Sequence, residues 1–203
     1  MNLLYILAYS WTTGYCVNKN YFGCLNPEEY WKNHFTIHGL WPQYVDNNYP
    51  EFCTDEPFNS TIPDIIGMDI MTKYWPNVEY EVSDPNYNSF YNHEWTKHGT
   101  CSPVNNQLVY FNTTIKLAQK FGTPEILTEI NVTTTIQSDY LRDQFGGKEY
   151  VTLICSNTNI LTGIYTCWDM NENGLPEEQI KCPVTVQKED TCKTEEIVIL
   201  YDN

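Results

Sequence analysis

Long apolar runs are missing from this sequence. No stretch of its 203 residues approaches the ~20 apolar residues that cross a bilayer, so we expect no membrane partner. Internal repeats, low-complexity linkers and blocks of one charge are missing as well, which leaves no obvious boundary between domains. The length suffices for one substantial core. We therefore predict that residues 1–203 form a single domain.

Positive charge is scarce. The chain has 11 Lys and Arg against 26 Asp and Glu, a formal net charge of −15. Such a surface repels a polyanion at long range, so composition alone argues against a broad nucleic-acid-binding surface. The charge suits a protein that works in acid, where protonation of its four histidines would bring −15 to about −11.

Cys-x-x-Cys pairs are also missing, although the chain has eight cysteines, so zinc-ribbon and thioredoxin-like sites lack local support. An even count favours disulfides, for which 105 pairings are open. Three Asn-x-Ser/Thr sequons, at Asn59, Asn112 and Asn131, also favour the secretory route. We expect a glycosylated protein that is secreted or held in the lumen of an acidic compartment such as a lysosome or vacuole.

The opening segment MNLLYILAYSWTTGYC has an apolar run, but neither a basic leader region nor a small-residue cleavage site before Cys16. We predict that it is a buried strand rather than a signal peptide. If so, the leader has already been removed.

Strands are expected at both ends of the chain. Residues 3–11 and 34–41 are predicted to be strands, the first of them buried on both faces. Period-two patterns with β-branched residues follow in 148–156, 163–169 and 195–202, separated by Asn/Gly/Pro turns.

Helices are expected in the middle. Residues 63–76 begin at a proline that suits a first helical turn, and Ile65, Ile66, Ile70 and Met71 are predicted to form the apolar face. Residues 106–122 form a better amphipathic pattern that ends at a glycine.

A third helix is predicted to start at a Ser138 cap. The distribution of elements favours an α+β fold with a largely antiparallel central sheet and helices packed to one side.

The segment HEWTKHGT, residues 93–100, concentrates polar chemistry. On a helix of about 100° per residue, Glu94 and His98 lie on one stripe and His93 and Lys97 on the next. One interpretation is a solvated helix face with ion pairs. The other is a catalytic site.

A metal site is the weaker interpretation of this segment. A zinc protease needs histidines at i and i+4, whereas these are five apart, about 140° around a helix, so we expect them not to chelate one ion without distortion. His34 and His38 would lie about 13 Å apart along a strand. We expect no metal and no other cofactor.

His38 stands in an apolar strand, TIHGLWP, where a histidine is more often a satisfied core residue unless another site faces it. The segments FTIHGLWPQY and FYNHEWTKHGTCS, about 55 residues apart, resemble the two active-site segments of the ribonuclease T2 family. This family comprises secreted acid ribonucleases and includes the plant S-RNases. The resemblance extends over essentially the whole chain and implies one T2-like domain.

The resemblance implies roles for individual residues. His38 and His98 match the two catalytic histidines, acid and base respectively, and Glu94 and Lys97 match the pair that stabilises the transition state. The substrate-binding residues that it implies are a phosphate-binding histidine and three aromatic residues of the base sites: His93, Trp41, Tyr49 and Phe90. Gln43 stands where some members choose the base, which leaves base preference open.

These residue types suit RNA cleavage without a metal. A base must take the 2′-hydroxyl proton while an acid protonates the departing 5′-oxygen, and two histidines can do both through a 2′,3′-cyclic phosphate. Lys97 and protonated His93 can stabilise the anionic transition state. Glu94 can either keep a neighbouring histidine cationic or donate a hydrogen bond when protonated, and both roles predict an acidic optimum.

The resemblance also implies a disulfide pairing, namely Cys16–Cys24, Cys53–Cys101, Cys155–Cys192 and Cys167–Cys182.

From the resemblance and the residue types we predict a monomeric endoribonuclease acting on single-stranded RNA. The alternative is a recognition or toxin-like effector protein that keeps the T2 fold but whose main role is not RNA digestion.

Overall fold

The computed structural model describes residues 3–46 and 49–201. Seven strands are found in this part of the chain: β1 Leu3–Ser10, β2 Thr36–Tyr44, β3 Thr134–Gln137, β4 Val151–Cys155, β5 Leu161–Met170, β6 Pro176–Ile180 and β7 Glu196–Ile199.

Ten α-helices and one short 3₁₀ helix accompany the strands in the described residues. The α-helices are α1 Thr12–Tyr15, α2 Phe22–Leu25, α3 Glu29–Asn33, α4 Ile62–Ile66, α5 Met68–Tyr74, α6 Ser89–Lys97, α7 Gln107–Phe121, α8 Glu125–Thr128, α9 Ser138–Asp143 and α10 Val184–Gln187. The 3₁₀ helix, Gly99–Cys101, follows α6 directly.

The central sheet has the strand order β2-β1-β5-β4, and β6 pairs with the far end of β5. Every ladder between these strands is antiparallel. A separate antiparallel pair joins β3 to β7. The structure thus confirms the α+β class with an antiparallel central sheet.

Strand β1 is buried on both faces, as its apolar run predicts. Tyr5 and Leu7 point into the large core, which the middle helices cover. Leu4 and Ile6 point the other way, into a smaller cluster with Val186 of α10. The larger helices therefore lie on one side of the sheet, and a C-terminal segment covers the opposite face.

The helix predicted over residues 63–76 is wrong as a single element. Gly67, at φ +109°, ends α4 and starts α5, because only glycine adopts this backbone conformation without strain. The break turns the apolar face, so Ile65 and Ile70 are exposed whereas Ile62 and Met71 are buried.

Helix α7 agrees with its prediction, since Asn106 caps its first turn by accepting from the Val109 N–H and Gly122 follows its last residue. Ser138 is the first residue of α9, as predicted, but its side chain does not cap a backbone N–H of the helix. Its hydroxyl donates to the Thr194 carbonyl oxygen instead, which ties the helix to the C-terminal segment.

Four disulfides use all eight cysteines, with the pairing that the family resemblance implies. Two of the three sequon asparagines, Asn59 and Asn131, are exposed, whereas Asn112 lies half-buried within α7 next to the buried Thr114 of its own sequon. Over residues 3–46 and 49–201, no helix combines the length and apolarity needed to traverse a bilayer.

The Cys53–Cys101 bond fastens the loop after β2 to the end of the α6 segment. The Phe52 N–H donates to the Lys97 carbonyl oxygen at 3.0 Å, and the Cys53 N–H donates to the Thr100 hydroxyl at 3.2 Å. This bond closes 48 residues, whereas Cys16–Cys24 closes 8.

We expect the Cys53→Ala/Cys101→Ala variant to lose on the order of 4 kcal/mol of unfolding free energy, against about 2.5 kcal/mol for Cys16→Ala/Cys24→Ala, because the longer loop restrains the unfolded chain more. Urea unfolding without reductant measures both losses. An equal or smaller loss for the longer loop would contradict this assignment.

Candidate active site

Strand β2 and helix α6 position the polar cluster against each other. The Trp75 indole N–H donates to the His38 carbonyl oxygen at 2.9 Å, and the Tyr110 hydroxyl donates to that of Leu40 at 2.7 Å. Helix α6 is anchored by two buried side chains, Tyr91 and Trp95. Both elements therefore rest on the aromatic core before any functional side chain is placed.

Glu94 lies between the two elements and is fully buried. Its Oε2 accepts a hydrogen bond from the Trp41 indole N–H at 2.9 Å. Its Oε1 lies 3.7 Å from His38 Nε2 and has no hydrogen-bond partner among the described residues. Gly39 makes the space, since a methyl group there would overlap both Oε2 of Glu94 and the Trp41 indole nitrogen.

Burial raises the pKa of Glu94 from its ordinary 4.5 to about 8, although the Trp41 hydrogen bond and the charge of Lys97 lower it in part. The carboxyl group is therefore protonated and neutral in acid. A neutral carboxyl can stand beside a phosphate without repelling it, and it can donate a hydrogen bond to it.

His98 follows the last residue of α6 and is nearly buried. Its ring stacks on Trp41 at 5.1 Å between centroids and 26° between planes. Burial, reinforced by the charges of Lys97, His93 and His38, lowers its pKa to about 3. His98 is thus a neutral imidazole over almost the whole pH range, as a general base must be.

His38 projects from β2 with 41% of its side chain exposed to solvent. Its ring meets Trp41 edge-on at 5.2 Å and Phe90 at 5.5 Å. Partial burial and the charges of His93 and Lys97 place the pKa of His38 below its ordinary 6.5. Its protonation therefore requires acid or a bound anion.

Lys97 and His93 complete the polar face of α6. The Lys97 ammonium is 4.0 Å from a carboxylate oxygen of Glu51 and 5.9 Å from the Tyr49 ring centroid. The His93 ring is 6.4 Å from that of His98. Burial and the charge of Lys97 lower the pKa of His93, so its predicted cationic form also needs acid or an anion.

A cavity of about 300 Å³ opens beside His38. Phe90 and His93 line one side of it. The remaining wall includes residues that carry no recognisable signal in the sequence, namely Thr36, Asn77, Glu79 and Ser89. They come together only because strand β2, the loop after α5 and the first residue of α6 converge here.

The three predicted base-site aromatics take different positions. Phe90 borders the cavity. Tyr49 is half-exposed, with its ring 6.5 Å from that of His98, and it does not line the cavity. Trp41 contacts the rings of both histidines.

The expectation that the spacing of His93 and His98 keeps them from sharing one metal ion is wrong. His93, Glu94 and His98 each offer a ligand atom, and these atoms lie within 4.8 Å of one another. His98 follows the helix at φ −112° and ψ −48°, off the ideal helical position, so the 140° separation does not apply. Two imidazoles and a carboxylate could hold zinc, but Glu94 would first have to lose a proton that it keeps to about pH 8.

Every predicted catalytic residue thus lies in one cleft: His38, Glu94, Lys97 and His98. His34 lies apart, stacked on Tyr30 at 4.1 Å and bonded to the Asn33 side chain. The sequence gives no indication that Trp41 would bond Glu94, because the two residues are 53 positions apart.

Comparison with known proteins identifies the class of molecule. Ribonuclease DdI of Dictyostelium discoideum is 32% identical over 191 residues, covering 88% of this chain and 77% of that protein. An RNase-related protein from Calystegia sepium shares the fold with a TM-score of 0.73 at 25% identity, covering 97% and 96% of the two chains. A mutant of RNase MC1 in complex with 5′-UMP gives a TM-score of 0.70 at 21% identity, with 97% of each chain covered.

These relatives place the chain among the ribonucleases. The model of the Ribonuclease T2 family matches residues 2–182. The chain therefore belongs to the Ribonuclease T2 family, as its two histidine segments predict, and is a T2-type endoribonuclease.

The buried carboxyl should link stability to pH. Glu94 gives up its proton near 4.5 when unfolded but near 8 when folded, so stabilisation present below pH 4.5 is lost as pH rises to about 8. Glutamine does not titrate. We expect the unfolding free energy of Glu94→Gln, relative to the parent, to increase by on the order of 4 kcal/mol between pH 4.5 and 8.

Urea unfolding at the two pH values measures this difference. The lowered histidine pKa values oppose the trend, because they cost stability as pH falls below 6.5, but they act in both proteins. A difference that does not change with pH would show that Glu94 is ionised in the fold throughout.

Proposed function

We propose that the protein is a secreted, monomeric endoribonuclease that cleaves single-stranded RNA without a metal, with His98 as the base and His38 as the acid. The observation that carries the proposal is the shared contact of both imidazoles with Trp41, at 5.1 and 5.2 Å. Two histidines held on one side chain can serve two oxygens of a single phosphodiester.

The first step is a transesterification. Neutral His98 takes the proton of the ribose 2′-hydroxyl, and the 2′-oxygen attacks phosphorus. The bond from phosphorus to the 5′-oxygen breaks, and protonated His38 gives its proton to the departing oxygen. The product is a 2′,3′-cyclic phosphate. Its hydrolysis to a 3′-phosphate reverses the two roles, with water in place of the leaving group.

Negative charge accumulates on the phosphoryl oxygens in the transition state. The Lys97 ammonium supplies the positive charge, and protonated Glu94 supplies a hydrogen-bond donor in a buried environment where both interactions are strong. His93 adds a second cation once the bound phosphate favours its protonation.

Two aromatic rings near the histidine pair offer stacking surfaces for bases. Phe90 borders the cavity beside His38, and exposed Tyr49 flanks His98. A structural relative was solved with 5′-UMP, which supports nucleotide binding in this fold. Stacking needs no broad basic surface. A chain of net charge −15 can therefore still bind RNA through stacking and a few local cations.

Secretion is supported by two features of the fold. All eight cysteines are in disulfides, which persist in oxidising compartments. The sequon residues Asn59 and Asn131 are exposed. The relatives are named as ribonucleases, which favours the enzyme over an effector protein without turnover.

Incubation of single-stranded RNA with the protein at about pH 5 in EDTA tests the chemistry, and we expect 2′,3′-cyclic ends. His38→Phe and His98→Phe should each reduce the rate by about 10³-fold or more. His34→Phe is the matched control, since the same change falls outside the cleft. Near-full rate in either cleft variant would refute the roles, and activity lost in EDTA but restored by zinc would favour a metal enzyme.

The rate should be greatest in acid. The base His98 must be neutral, so kcat/KM falls as pH drops to about 3. The acid His38 must be protonated, so kcat/KM also falls as pH rises above the lowered pKa of His38. A bell-shaped profile of kcat/KM with its maximum between these limits is expected. The alkaline limb of kcat should lie higher, because the bound phosphate raises the pKa of His38. A maximum of kcat/KM above neutral pH would contradict the assignment.

A further inference from the structure

The indole of Trp41 occupies the centre of the cleft. It donates its N–H to Glu94 at 2.9 Å, stacks one face on His98 at 5.1 Å and receives the edge of the His38 ring at 5.2 Å. One side chain therefore touches three of the four residues assigned to the chemistry.

The scaffold holds this indole from the opposite side. Tyr165 of β5 packs against it edge-on at 5.3 Å, and Trp41 pairs with Ile6 of the central strand β1. Trp41 also packs on the smaller apolar cluster below the sheet. The ring is only partly exposed, and these contacts hold it in place.

The bond to Glu94 has a chemical consequence. Among the described residues, only the Trp41 N–H donates a hydrogen bond to the Glu94 carboxyl group. By holding Oε2 it directs the bare Oε1 towards His38 Nε2, 3.7 Å away. A donor to a carboxyl also favours its ionised form, which opposes the effect of burial.

We propose that Trp41 is a positioning residue of the reaction, which orients Glu94 through its N–H and His98 through its ring face. This differs from the base-stacking role implied by the family resemblance. The inference rests on the proposed ribonuclease mechanism, because it assigns Trp41 to the residues that perform it.

Other charged or titratable groups face Glu94 from each element packed around it. They are His38 on β2, Tyr110 on α7, His93 and Lys97 on α6, and His98 just after α6. A Trp41→Phe substitution removes none of these groups and keeps an aromatic ring at position 41. Loss of the N–H donor predicts a shift of the Glu94 titration to higher pH in that variant.

Trp41→Phe keeps an aromatic ring but removes the donor. We expect kcat to fall about 10- to 100-fold, as for a lost hydrogen bond to a carboxyl group, with KM changed less than about threefold. The ¹³C titration of the Glu94 carboxyl should move to higher pH. Phe90→Leu is the contrasting variant, since loss of a stacking ring alone should raise KM and leave the Glu94 titration in place.

Gly39→Ala should disrupt the same hydrogen bond, because the added methyl group overlaps both Oε2 of Glu94 and the Trp41 indole nitrogen. We expect the same loss of kcat, and a double variant scarcely slower than either single one. Thermal unfolding confirms that each protein is folded, and if Gly39→Ala fails to fold, Trp41→Phe decides alone.

A Trp41→Phe enzyme with parental kcat, raised KM and an unmoved Glu94 titration would overturn the inference and make Trp41 a base platform. The underlying mechanism fails separately, since it requires the parent to cleave RNA and His38→Phe and His98→Phe to be inactive.

Discussion

The burial of one carboxyl group governs the cleft. Glu94 has no exposed surface, and space for it exists only because residue 39 has no side chain. A buried carboxylate without a full set of partners is costly, so the group keeps its proton to about pH 8. That single constraint places a neutral hydrogen-bond donor beside His38, where an ionised carboxylate would repel the phosphate.

Desolvation acts in the opposite sense on the histidines around it. Burial opposes charge, which favours the proton on Glu94 and the neutral forms of His38 and His98. In the mechanism we propose, an arriving phosphate together with acid would reverse this preference for His38. The cleft would then become competent when substrate binds at low pH, with Lys97 as a local cation for the polyanion.

The sequence predicts those parts of the fold in which local pattern and burial agree. Strand β1 and helix α7 follow their apolar periodicity, and the two histidine segments identify the family. Apolar periodicity predicts a single helix over residues 63–76, but Gly67 divides this segment into two helices. The position of His98 just beyond α6, which brings it near His93, depends on the end of the helix rather than on residue spacing. The bond from Trp41 to Glu94 and the cavity wall from Thr36 and Asn77 arise from tertiary packing, to which no local pattern refers.

Infrared difference spectroscopy of the protein between pH 5 and 9, with Glu94→Gln as the reference, tests the central claim most directly. The account predicts a protonated carboxyl C=O band assignable to Glu94 that persists through pH 6 and disappears near pH 8. A band that is already absent at pH 5, with the corresponding carboxylate signal present, would show that Glu94 is ionised in the cleft and would contradict the account.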